Sequence, residues 1–334
     1  MTGLTDAEVR ELFRGTRCLV TGGLGFIGSN VALALCEGGA DVTIVDALVP
    51  RHGGNVNNIA GASPHFIVAD MGDSAAVTEP LSRAQYVFNV AGQVSHVDSM
   101  QDPLADLEVN GRSQLAFLEL VRRTNPEAVV VYTSTRQVYG RPRYLPVDET
   151  HPVDPVDVNG VAKYAAEQFH RIYHDVHRIR TVSLRITNVY GPRQRLTGDH
   201  QGFIPVCVRC ALEGHPIRIY GDGDHERDCL YVSDVVAGLL RAAVCEESHG
   251  EVLNLGNDEH FQLQEIADLT VRLAGGGSME RVPWPRERER IAIGSCWTDS
   301  SKAKEMLGWQ PTVTLEDGMR ETLAYYREHL RWYV

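Results

Sequence analysis

Three glycines spaced Gly22-x-x-Gly25-x-x-Gly28 follow directly on the apolar run Cys18-Leu19-Val20-Thr21, and a helix-like run from Asn30 to Cys36 follows them. This order predicts a strand, a tight turn and a helix N-terminus. Turn glycines let backbone N–H groups close on a pyrophosphate, which then sits at the positive end of the helix dipole. A second strand-like run, Asp41 to Val45, ends in Asp46, about twenty residues past the glycines, where a carboxylate accepts both hydroxyls of an adenosine ribose. Such a carboxylate repels a 2′-phosphate, so the expected cofactor is NAD rather than NADP.

Elements that must position this turn can be read along the chain. Thr5 and Asp6 cap a short helix leading into the first strand. Residues 50–63, rich in Gly and Asn, read as an exposed loop. A third strand, 65–69, ends in Asp70-Met71, and a fourth, 86–90, ends in Ala91-Gly92-Gln93. Pro103 to Arg123 reads as one helix with Leu104, Leu107, Leu115, Leu118 and Val121 on its apolar face. A β-branched strand spans 128–133, and a second long helix runs from about Val158 to His174. Alternating strands and helices predict an α/β protein with a Rossmann-type doubly wound parallel sheet. After Arg185, prolines and the Gly221-Asp222-Gly223 turn break that alternation and predict a smaller α/β lobe. The expected division is residues 1–189, rejoined by about 230–254, for cofactor binding, with 190–229 and 255–334 forming the second lobe.

The 334 residues are 43% apolar with a net charge of −12, and neither Lys nor Arg forms a run, which argues against a nucleic-acid or anionic-membrane surface. No stretch reads as a signal peptide or a membrane span, so a cytoplasmic location is expected. Seven cysteines suit reduced thiols. Cys207 and Cys210 form a CxxC inside an apolar helical run, and no second pair or His cluster completes it, so no metal is expected.

Several stretches together resemble the extended short-chain dehydrogenase/reductases that modify nucleotide sugars, a family that includes UDP-glucose 4-epimerase. They are Thr21 to Gly28, Ala91 to Pro103, Tyr132 to Gly140, Arg185 to Pro192, Gly221 to Val235 and Asp299 to Pro311. The resemblance implies transient oxidation of a sugar carbon by bound NAD, followed by return of the hydride. In the family this needs a Tyr base, a Ser/Thr hydrogen-bond donor and the Lys of Tyr-x-x-x-Lys, with Tyr and Lys on one helix face. Here Thr135 matches the Ser/Thr and Lys163 the lysine, but the motif reads Asn159-Gly160-Val161-Ala162-Lys163, with Asn159 at the tyrosine position. An amide is no base near neutral pH, although it can bind a sugar hydroxyl. Three readings stay open: the base is displaced onto His96, Lys163 or Thr135 relayed through Lys163; Asn159 is an introduced substitution that traps substrate; or catalysis has been lost.

The resemblance also places Phe26, Ile27, Asp70, Met71, Ala91, Gly92, Gln93, Asn110 and Thr133 along the cofactor. On the substrate side it places Gln93, Thr135, Asn159, Asn188, Ile217, Tyr220 and Arg227, with Arg290 as a second phosphate-binding arginine. In dehydratases an Asp-Glu pair follows the threonine; here it is Arg136-Gln137, neither a usable acid or base. That favours C4 epimerisation of a nucleotide-diphosphate sugar through a 4-keto sugar. Deprotonation next to the ketone and a catalytically silent binding protein are the alternatives. A homodimer built through the two long helices is expected.

Overall fold

The computed structural model describes residues 3–49, 54–198 and 202–334. A seven-stranded parallel sheet forms its centre. The chain enters through α1 (Asp6–Glu11), capped by Thr5, and β1 (Arg17–Thr21) follows. Next come α2 (Phe26–Glu37), β2 (Asp41–Asp46), β3 (His65–Val68), α3 (Ser74–Arg83) and β4 (Tyr86–Asn89). The short helices α4 (His96–Gln101) and α5 (Pro103–Leu107) lead to α6 (Ser113–Thr124), β5 (Val129–Thr135), α7 (Val158–His177) and β6 (Arg180–Ile186). The strand order is β3-β2-β1-β4-β5-β6, with β10 (Val252–Leu255) added beyond β6. The order reverses between β1 and β4, where open α/β sheets leave a crevice at the strands' carboxyl ends.

A buried polar chain fixes that crevice. Thr21 Oγ1 donates to Asn89 Oδ1 (2.8 Å), Asn89 Nδ2 donates to Gln114 Oε1 (2.7 Å), and Gln114 Nε2 donates to the Ala91 carbonyl (2.9 Å). Neutral groups paired in this way satisfy one another without a buried charge.

The remaining elements are β7 (Asn188–Tyr190), α8 (Phe203–Glu213), β8 (Pro216–Tyr220), β9 (Glu226–Tyr231) and α9 (Val232–Val244), then β11 (His260–Gln262), α10 (Leu263–Ala274) and β12 (Ser278–Val282). Helices α11 (Arg286–Arg290), α12 (Ser301–Leu307) and α13 (Leu315–His329) complete the chain. Strands β11-β9-β7 form a small sheet, and β12 pairs with β8. Helix α9 belongs to the core of the large sheet through Val235, Leu239 and Ala242. Cys207 and Cys210 are buried against Ile217 and Ile219, and burial holds the Cys207 thiol far above its ordinary range. Of the expected loop 50–63, residues 50–53 lie outside the described residues, and Val56–Ile59 form a short 3₁₀ turn.

The expected helix 103–123 is not continuous. A π-helical turn at Glu108–Arg112 interrupts it, inserting one extra residue so that Asn110 and Gly111 face inward. The expected apolar face divides as a result. Leu118 and Val121 are fully buried, whereas Leu104 is 77% exposed and Leu107 49%.

Candidate active site

The glycine loop has the shape that the sequence requires. A Cβ at Gly28 would overlap the Gly22 carbonyl oxygen, so the loop closes this tightly only with glycine there. Gly25 caps α2, and no side chain bonds the first-turn N–H groups of Phe26, Ile27 and Gly28, which leaves them for an anion. Asp46 ends β2 in a buried position, with Oδ2 accepting from the Leu24 N–H (3.1 Å) and Oδ1 from the Leu48 N–H (2.9 Å). Each oxygen keeps a lone pair for a ribose hydroxyl. Asp70 is exposed at the end of β3, accepting from the Gly72 N–H, while Met71 is buried in the core beneath it. These features fit a dinucleotide: donors for the pyrophosphate, an acceptor for the ribose, and a groove at the switch point.

Past β4 the chain is tied down at Gln93. Asn110, held inward by the π turn, donates from Nδ2 to the Gln93 carbonyl (3.0 Å) and accepts from the Gln93 N–H (3.1 Å). The Gln93 side chain spends itself on Ser95, donating from Nε2 to the carbonyl (3.1 Å) and accepting from the N–H (2.7 Å). Gly92 passes close to the lysine: a Cβ there would lie 2.6 Å from Lys163 Nζ.

Asn159 and Lys163 stand one turn apart on α7, and both are buried. Lys163 Nζ donates to the Thr133 carbonyl (3.3 Å) and lies 5.3 Å from the Tyr132 ring centroid. Burial lowers the Lys163 pKa to about 8, and the charge of Asp106 partly opposes that fall. Asn159 Nδ2 faces three acceptors: the Gln93 carbonyl (2.9 Å), Gln93 Oε1 (3.1 Å) and Asp106 Oδ2 (3.0 Å). At the end of β5, Thr135 Oγ1 accepts from the Gln137 N–H (3.3 Å), which leaves its O–H as a donor. Beneath this strand end, Ser134 donates to Glu167 (2.8 Å), and Glu167 pairs with Arg185 at 2.6 Å, fully enclosed.

His96 opens α4, and its Nδ1 lies 2.5 Å from Asp157 Oδ2. Asp157 also caps α7, accepting from the Gly160 N–H through Oδ1 (2.8 Å). Burial, the largest single effect, pushes the Asp157 pKa up, but the bond and charge of His96, the Gly160 N–H and the Arg136 charge together lower the carboxyl on balance. With a carboxylate on Nδ1, the ring keeps its proton there and presents Nε2 as an acceptor.

Substrate-side positions form a second group. Asn188 accepts from Arg136 Nη2 (2.9 Å) and donates to the Asp228 carbonyl (3.0 Å). Arg227 Nη1 donates to the carbonyls of Glu226 (2.7 Å) and Gly294 (2.6 Å). Burial lowers its pKa to about 10, and the neighbouring Arg136 charge adds to that. Ile217 is fully buried on β8, which closes its side chain to a ligand, while Tyr220 at the strand's end lies against Trp284 and beneath the Arg288 guanidinium. Arg290 is exposed on α11, and its carbonyl accepts from Arg141 Nη2 at 2.9 Å. Among the described residues, no cluster of three His, Cys, Asp or Glu side chains is placed to hold a metal. The sequence pointed to neither Asp106 nor Asp157, and Arg136 entered only as a residue unable to act as acid or base. Only Asp157 left a local signal, an acid three residues before Gly160 at a helix start.

Residues 18–256 match the NAD dependent epimerase/dehydratase family. The UDP-glucose 4-epimerase of Mycolicibacterium smegmatis is 30% identical over 93% of this chain and 98% of its own length. An epimerase structure from Methanothermobacter thermautotrophicus superposes with a TM-score of 0.91 at 28% identity, covering 98% of this chain and 96% of that one. The Thermotoga maritima UDP-glucose 4-epimerase, solved with UDP-glucose, gives 0.84 at 31% identity, covering 93% and 99%. This chain belongs to the NAD-dependent epimerase/dehydratase family, and its cofactor is NAD.

Proposed function

We propose that the protein is an NAD-dependent nucleotide-sugar epimerase acting at C4. What supports this reading is that Lys163, one turn from Asn159 on α7, reaches the Thr133 carbonyl on β5, the strand that ends in Thr135, and lies beside Gly92. NAD bound there supplies a hydride acceptor and, afterwards, the donor. Thr135 donates its O–H to the sugar oxygen as charge develops. Lys163 places a positive charge under the cofactor ribose. Asn159, standing in the family's tyrosine position, spends its N–H groups on Gln93 and Asp106 and turns its carbonyl oxygen toward the sugar as an acceptor. The base is His96: Asp157 holds Nδ1, and Nε2 takes the hydroxyl proton. A second reading makes Lys163 the base, since a lysine brought to about 8 suits proton transfer.

The other site assignments follow the same reading. Residues 1–189 with 230–254 bind NAD, the rest binds the nucleotide sugar, and Asn188, Arg227 and Arg290 face the diphosphate. Exposed Leu104 and Leu107 on α5, with Val161, Ile172 and Val176 on α7, supply an apolar face for a homodimer. No described helix is long and apolar enough to cross a membrane, and the seven free cysteines suit a cytoplasmic enzyme.

The test is proton NMR in heavy water with NAD and a panel of UDP-, dTDP-, GDP-, CDP- and ADP-sugars. A C4 epimer free of deuterium is the expected product, because direct hydride return takes nothing from solvent. Deuterium beside the former ketone would establish the deprotonation route. No turnover of sugars that bind would leave a binding protein.

A further inference from the structure

The first residue of the turn after β5 is Arg136, with only 8% of its surface exposed. A guanidinium stays charged at any working pH, so enclosing it requires partners for its five N–H donors. It has few among the described residues: Nη2 reaches Asn188 Oδ1 at 2.9 Å, the Cys296 thiol lies beside the guanidinium, and Nη1, buried, has no hydrogen-bond partner. The buried carboxylates around it are occupied elsewhere. Asp228 accepts from the hydroxyls of Thr187 and Thr298, and Asp157 from His96 and Gly160. A second guanidinium, Arg227, is close enough that the two charges repel, and Arg227 is itself held only by carbonyls. Two neighbouring cations without a bonded carboxylate, one with a buried orphan donor, form a seat that an oxyanion completes.

We propose that Arg136 is a substrate-binding residue whose Nη1 edge, beside Asn188 and Arg227, receives an oxyanion of the nucleotide sugar. The proposal rests on the nucleotide-sugar reading above. Its position gives the reason for the choice of residue: Arg136 directly follows Thr135, so one short turn joins the donor at the reacting carbon to a fixed planar fork. The anion has two possible sources in such a substrate, the diphosphate and a carboxylate carried on the sugar.

Calorimetry on the NAD-loaded protein with three probes, UDP-glucose, UDP-glucuronic acid and inorganic pyrophosphate, tests the proposal and separates these sources. A charge-assisted bond to a desolvated oxyanion is worth roughly 10- to 100-fold in affinity. Arg136→Met is therefore expected to weaken the probe that uses it by that factor, with Arg136→Lys in between because it keeps the charge and loses the fork. Loss on UDP-glucuronic acid alone assigns the seat to a sugar carboxylate. An equal loss on all three assigns it to the diphosphate. Retained NAD binding in both variants shows that the fold is intact, and if Arg136→Met does not fold, Arg136→Lys carries the comparison. Unchanged affinities for all three probes overturn the proposal and leave the nucleotide-sugar reading standing. A wild-type protein that binds pyrophosphate, and loses it in Arg136→Met, yet binds neither UDP-sugar supports the seat and overturns that reading for uridine nucleotides.

Discussion

Asp106 Oδ2 accepts a hydrogen bond from Asn159 Nδ2 at 3.0 Å, while Asp106 Oδ1, also buried, has no hydrogen-bond partner among the described residues. A carboxylate only accepts, so it can face only the nitrogen side of the amide, and the two acceptors of Gln93 enforce the same orientation. Position 159 is thus built around an amide nitrogen. The same carboxylate raises the Lys163 pKa against the larger effect of burial. Asp106→Asn removes that support and lets the 159 amide turn over. Its expected effects are a fall in kcat/KM and a shift of the alkaline loss of activity to lower pH, because Lys163 gives up its proton sooner. A pH–rate profile of the variant checks this, and an unmoved alkaline limb would rule out the coupling.

His96 and Lys163 make separable claims to the base. If His96 takes the proton, His96→Ala lowers kcat by about 10²- to 10⁴-fold with NAD still bound, as removal of a positioned general base does. Asp157→Asn keeps a helix cap but no longer holds the Nδ1 proton, and so produces a smaller loss. Full turnover in His96→Ala would transfer the role to Lys163. Stopped-flow absorbance of the reduced nicotinamide then shows whether the oxidation half-reaction has stalled.

Enclosure of Lys163 also leaves a signature in stability. Its folded pKa, about 8, lies below the ordinary lysine value of 10.5, so between these two values the unfolded chain holds more protons than the native one. Stability therefore rises with pH across that window and is flat in this respect below it, by on the order of 3 kcal/mol in total. Raised thiols and phenols such as Cys18 and Tyr139, both pushed up to about 12 mainly by burial, act in the opposite direction at alkaline pH. The informative quantity is the difference between wild type and Lys163→Met. The wild type's deficit should shrink from pH 8 to 10.5 in urea titrations, and parallel curves would contradict the burial.

What the sequence discloses here and what it hides follow from separation along the chain. The glycine loop, Asp46, Thr135 and Lys163 are legible because each is a local pattern, a turn, a strand end or one helix face, and each lies at or beside the carboxyl end of a strand of the large sheet. The pairs that define the chemistry around Asn159 span 53 residues to Asp106, and 61 separate His96 from Asp157, so no periodicity reports them. The π turn at Glu108–Arg112 is hidden for another reason. Its residues suit an ordinary helix, and the extra residue is specified by the bonds of Asn110 to the Gln93 backbone.

That turn also bears on assembly. Shifting the register of the helix carries Leu118 and Val121 into the core and leaves Leu104 and Leu107 outside, while the neighbouring α7 exposes Val161, Ile172 and Val176 along its length. Val176 is 66% exposed and Leu104 77%, so charging them costs the folded monomer little, on the order of 0.5 kcal/mol or less for surface changes. In an interface, by contrast, each places an unpaired charge in apolar surroundings. The double variant Leu104→Glu/Val176→Glu should therefore retain its melting temperature at low concentration and sediment as a monomer, while the wild type sediments as a dimer. If both sediment alike, this face is not the subunit contact, and the apolar side chains on α5 and α7 require another partner.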